Sequence, residues 1–211
     1  HHYAYQFEDM IFCGDVGGVR IPGYQYLRVP MPPPELHIER WKESLSKLRA
    51  LNPVRLSPTH FGIYDDVDWQ LNEVEKGLDS AARWLETADR AVTMLRGSRE
   101  KAEGGANPYS ARPIAIMEKQ VAALVANARG RKDEALTLAK EAMDIELALS
   151  APSGPPDPIK PAPEFYGELL LDAGRTAEAI AALELSLQRT PNRTPSVKAM
   201  ARAKAAGTAM H

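Results

Sequence analysis

Apolar positions along the chain change period several times, and the changes mark its elements. Over residues 2 to 13 apolar and polar side chains alternate on either side of an acidic turn at Glu8-Asp9, which predicts a β-hairpin. Glycines at 14, 17, 18 and 23 and prolines at 22, 30, 32, 33 and 34 predict one long loop from Asp15 to Pro34. Ile38, Trp41, Leu45 and Leu48 then fall three or four apart, so Ile38 to Leu51 is expected to be an amphipathic helix, ended by Pro53. Val54 to Leu56 reads as a short strand leading to His60. From Asp66 the helical period returns with Val67, Leu71, Val74, Leu78, Ala82 and Leu85, with Trp69 and Trp84 extending the stripe. Asp65 or Asp66 supplies the N-cap, and the helix is expected to run on through Thr87 to Ala102 until Gly104-Gly105-Ala106-Asn107-Pro108 breaks it.

Beyond Arg112 the chain is helical and repeats itself. Ala128-Arg-Gly130-Arg-Lys-Asp-Glu-Ala135-Leu pairs with Asp172-Ala-Gly174-Arg-Thr-Ala-Glu-Ala179-Ile at an offset of 44 residues. Gly167, Gly174, Ala179, Leu183 and Pro191 have the spacing of a ~34-residue tetratricopeptide repeat. The excess offset matches a Pro/Gly-rich insertion at Ser150 to Pro161, and the first copy carries Ala123 and Leu147 where the second has its early glycine and late proline. This region, about residues 110 to 206, resembles tetratricopeptide-type helical hairpins. The resemblance implies a surface for a peptide or protein partner. Hairpins that merely pack on the long helix are an equal alternative, since fewer than three repeats are present. Thr194 to Ala206 is expected to close the stack, with Arg189, Arg193, Lys198, Arg202 and Lys204 on a solvated face in preference to a site for an acidic partner.

Residues 1 to 85 carry a second resemblance. Ile11-Phe-Cys-Gly-Asp15-Val-Gly-Gly-Val-Arg-Ile-Pro22, then Pro32-Pro-Pro-Glu35 ahead of the Trp41 helix, then Thr59-His60-Phe-Gly62, are similar to the C-terminal half of a metallo-β-lactamase-fold hydrolase. The resemblance implies that Asp15 bridges two zinc-type ions and His60 ligates the second. Such hydrolases attack esters, thioesters, lactams or phosphoesters with a metal-bound hydroxide. The family's H-x-H-x-D-H signature has no counterpart here: the histidines are His1, His2, His37, His60 and His211. The expectation is therefore a remnant or fragment, inactive alone and retaining little or no zinc, because zinc needs three or four protein ligands. Read as residues only, without the resemblance, a strand-end Asp15 capping a turn and a His60 satisfied in the core are the better reading.

The resulting expectation is an α+β chain: a partial metallo-β-lactamase-type α/β sandwich half at 1–86, a helical linker at 87–110, and an all-α tetratricopeptide-like region at 111–211. The rival reading is a non-enzymatic interaction module built on the helices. An exposed sheet edge near Tyr3 to Cys13 would favour self-association.

Composition narrows the classes. The 211 residues are 44% hydrophobic and 26% charged, with a net charge of −2 and no block of like charge, so nucleic acid and membrane surfaces are not expected partners. A single cysteine, Cys13, sits in an apolar run and reads as a buried inert thiol in a cytoplasmic protein. Asp65, Asp66 and Asp68 suggest a carboxylate dyad, but negative charge at a helix start is accounted for by the helix dipole. Tyr24, Tyr26 and Arg28 lie where a loop could meet a substrate, with half-buried packing as the alternative. There is no Gly-x-Ser-x-Gly, phosphate-binding loop or Gly-x-Gly-x-x-Gly.

Overall fold

The computed structural model describes residues 3–30, 37–60, 62–106, 108–154, 156 and 158–208. The expectations that involve His1, His2, Pro32 to Glu35, Phe61 and His211 lie outside these residues. The described chain is mostly helical with a small mixed sheet, an α+β arrangement. It divides into two units, His1–Glu86 and Thr87–His211. Among the described residues no helix is long and apolar enough to cross a membrane.

In the first unit, β1 (Tyr5–Phe7) and β2 (Met10–Phe12) form the expected hairpin, with Tyr5 opposite Phe12 and Glu8 left-handed at the turn (φ 51°). The Asp15 to Pro34 stretch is not one loop. A 3-10 turn over Gly14–Gly17 leads into β3 (Val19–Arg20), which pairs antiparallel with β4 (Leu27–Arg28). Gly18 makes this pairing fit: at φ 77° a Cβ there would lie 2.7 Å from Leu27 Cδ2 and 3.0 Å from Val74 Cγ2. Only a residue without a side chain lets the backbone approach so closely. Tyr24 and Tyr26, in the connection between β3 and β4, are exposed rather than half-buried.

The helix α1 (Ile38–Ala50) buries Ile38, Leu45 and Leu48. The strand β5 (Arg55–Ser57) then runs parallel to β2, Ile11 opposite Leu56, giving the order β1-β2-β5. It begins one residue later than the apolar run suggests. Val54 N and Arg55 N both donate to Asp9 O (2.8 and 3.2 Å), so Val54 stays outside the ladder and Leu56 points inward. The long helix α2 (Val67–Glu103) buries Val67, Leu71, Val74 and Leu78 with Ile11, Leu56 and the α1 stripe in one core, and Ala82 and Leu85 pack against its margin. Trp84 does not extend the stripe, being 53% exposed. Asp66, one of the two residues expected as a cap, immediately precedes α2 and accepts from Gln70 N at its carbonyl (3.0 Å); its carboxylate ion-pairs with Arg20, and that guanidinium holds the carboxyl below the usual range.

The second unit contains α3 (Ala111–Ala128), α4 (Lys132–Leu147), α5 (Ala162–Asp172), α6 (Thr176–Arg189) and α7 (Thr194–Thr208). The 87–110 segment, expected as a helical linker, comprises the later part of α2 and a 3-10 turn at Pro108–Ser110. Its Arg96 and Arg99 both bond Glu118 of α3. The repeated sequence gives a repeated turn. Gly130 and Gly174 are each left-handed at φ 76°. Gly130 N donates to Asn127 O and Arg131 N to Ala126 O (2.9 Å each); Gly174 N donates to Leu171 O (3.0 Å) and Arg175 N to Leu170 O (2.9 Å). Both are Schellman turns, which reverse the chain and release it into the next helix. At the α5–α6 crossing a Cβ on Gly167 would meet Leu183 Cγ at 2.7 Å. The helices approach closely because the position is bare.

The basic face expected on α6 and α7 is only partly solvated. Arg189 donates to Glu146 O and Ser150 O (3.0 and 3.2 Å) and so fastens the start of the 150–161 insertion. Arg193 reaches inward to the buried Glu164 (2.7 Å), which also accepts from Ser196 Oγ. Buried polar groups without such partners, a carboxylate above all, would carry a desolvation cost, and this requirement draws Arg193 to the Glu164 carboxylate and Arg189 to carbonyls at the end of α4 and just beyond it.

Candidate functional site

Asp15 and His60 meet. The parallel pairing of β2 and β5 brings the segments that follow the two strands side by side, with Cys13 N donating to Ser57 O at 3.0 Å. His60 Nε2 lies 3.8 Å from Asp15 Oδ1, the side chains being 49% and 21% exposed. The Asp15 turn is anchored from several directions: Gly18 N donates to Asp15 O (2.9 Å), Trp41 Nε1 to Val16 O (3.0 Å) and the buried Gln70 Nε2 to Gly17 O (2.9 Å). His60 sits in an excursion closed at its base by Leu56 and Tyr64, which exchange backbone hydrogen bonds of 2.8 and 2.9 Å. Tyr64 Oη then donates to Arg20 O (3.2 Å), and the Arg20 guanidinium is stacked between the Tyr64 and Trp69 rings at 4.4 and 4.5 Å. This stack ties β3 to the base of the excursion that carries His60.

A zinc ion about 2.0–2.2 Å from each donor at tetrahedral angles would set the donors roughly 3.3–3.5 Å apart. The observed 3.8 Å is within a few tenths of that. The remaining donors are lacking: among the described residues no group of three or more His, Cys, Asp and Glu could hold a metal. Cys13 is no substitute, because burial pushes its thiol up to about 11 and it packs under Gly17. One carboxylate and one imidazole therefore do not make a complete catalytic zinc centre, and no metal-dependent step follows from these residues.

His37 is exposed at the N-cap of α1. An open cleft of about 670 Å³ lined by Arg49, Asn52, Val54, Asp65, Asp68 and Trp69 lies at the opposite end of β5 from His60. The Arg20 stack and the Gln70 anchor were not legible as site supports in the sequence. Arg20 is 44 residues from Tyr64 and Gln70 is 53 from Gly17, so only folding reveals the pairing. No family model, curated protein or solved structure matches the chain.

Proposed function

We propose that the first unit is the remnant of a zinc-type hydrolase centre of the metallo-β-lactamase type, with Asp15 and His60 as its two retained ligands. The observation that carries the reading is their 3.8 Å approach at the ends of adjacent parallel strands. Both donors lie just beyond strands of one sheet, and the Asp15 turn is anchored by Trp41 and Gln70, the kind of support a metal site uses. Alone, the pair binds zinc weakly and does not support turnover, since two ligands leave the ion largely solvated. Calorimetric titration of the full chain with zinc tests this. The expected result is weak binding, removed by exhaustive dialysis, that falls about tenfold or more in Asp15→Ala and in His60→Ala. Zinc binding unchanged in both variants would refute the assignment, and one zinc per chain surviving dialysis would refute its incompleteness.

A second reading is favoured by the two matching Schellman turns, which give the second unit two hairpins of one design. In this reading residues 111–211 form a tetratricopeptide-type module for a peptide or protein partner. Its binding would be untouched by Asp15→Ala or His60→Ala.

A further inference from the structure

We propose that the uncovered face of the three-stranded sheet is a self-association surface, on which two copies of the chain stack sheet against sheet about a twofold axis. Strand register defines the two faces. Ile11 and Leu56 are opposite each other and point into the helical core. The residues that alternate with them, Met10 and Phe12 on β2 and Arg55 and Ser57 on β5, point the other way, as do Tyr5 and Phe7, which pair with Phe12 and Met10. Tyr5, Phe7 and Phe12 are 66%, 63% and 42% exposed, and Tyr3 at 76% sets its ring, tilted by 42°, 6.5 Å from that of Tyr5. Both α1 and α2 cover the opposite side through the shared core. A sheet with one helical layer and one bare aromatic face is a half-built sandwich.

Charge and area select the occupant. The only charged group among these outward residues is Arg55, and Asp9 neutralises it at 2.6 Å. The face therefore neither repels a second copy nor offers the cationic rim of a membrane-binding surface. Aromatic side chains bury some 150–250 Å² each, so four at these exposures offer about 500 Å² per copy. Two copies bury about 1,000 Å² in total, the lower limit for a specific interface. The association is accordingly weak and concentration-dependent. The face is isologous, presenting the same aromatic patch from each side of the axis.

The surface is distinct from Asp15 and His60, and its test is independent of metal. Sedimentation equilibrium of the full chain should show a dimer growing in from about 10 to 200 µM. Phe12→Lys places a charge on the middle strand, away from the sheet edge, and should leave the protein monomeric throughout. Tyr3→Lys, outside the strands, should weaken the dimer with no risk to the fold, which far-ultraviolet circular dichroism checks in both. A wild-type chain still monomeric at 200 µM overturns the proposal, whatever other partner the face then takes. A dimer that persists undiminished in Phe12→Lys also overturns it, because association would then run through the β1 edge or another surface.

Discussion

The crossing of α5 and α6 allows a quantitative test, because the chain contains two versions of it. In the second copy Gly167 lies under Leu183; 44 residues earlier the same positions are Ala123 and Ala139, both fully buried. The space is divided unequally in one copy and equally in the other. Gly167→Ala places its Cβ 2.7 Å from Leu183 Cγ, 3.0 Å from Cδ2 and 3.3 Å from Ala179 O. Overpacking of this kind costs about 1–3 kcal/mol. Removing a helical glycine returns about 0.5–1 kcal/mol, so a net loss of about 1 kcal/mol is expected. Leu183→Ala alone costs about 2–5 kcal/mol through the cavity it leaves. Once Leu183 is gone, Gly167→Ala keeps only the 3.3 Å contact with Ala179 O, which a shift of a few tenths of an ångström relieves, and becomes stabilising. The double-mutant cycle should therefore show a favourable coupling of about 2 kcal/mol between the two changes. The two units need not unfold together, so protection of α5 and α6 amides against hydrogen exchange is the suitable measurement. Stabilisation by Gly167→Ala alone, or a coupling below about 0.5 kcal/mol, would refute the close-packing explanation.

Glu164→Ala should destabilise the second unit by about 3–5 kcal/mol, since it strands Arg193 and leaves the buried Ser196 with Ser186 Oγ alone (3.0 Å), whereas replacing Glu164 and Arg193 together by apolar residues should recover most of the loss; chemical denaturation followed by circular dichroism distinguishes the two. Glu146 gives a pH prediction. Burial raises its pKa, and the field of Glu164 adds to that, against the opposing pull of the Ala162 N–H (2.6 Å) and of Arg189 (3.9 Å). The folded state thus holds this proton more tightly than the unfolded chain. The group's contribution is fully present below its unfolded value of about 4.5 and is lost as pH rises through the raised folded value. Glu146→Gln keeps an acceptor for Ala162 and removes the titration, so the stability of wild type relative to this variant should fall between pH 4 and neutrality. A difference that is flat with pH would remove Glu146 as the cause.

What the sequence determined by itself is local. Period two around Glu8-Asp9 specified the hairpin, period 3.6 specified α1 and α2, and the Gly130 and Gly174 pattern specified two identical turns, because each depends on residues within one or two turns of chain. The Gly14-Asp15 and Thr59-His60 pair was legible only as two separate strand ends. Their approach to 3.8 Å was decided by the parallel alignment of β2 with β5, a contact spanning some 45 residues. Tertiary packing likewise turned a glycine- and proline-rich stretch into the β3–β4 hairpin, left Trp84 in solvent despite its place in the periodicity, and drew Arg189 and Arg193 inward from an expected solvated face. In each case a requirement distant in sequence, a core to fill or a buried polar group to satisfy, outweighed the local preference.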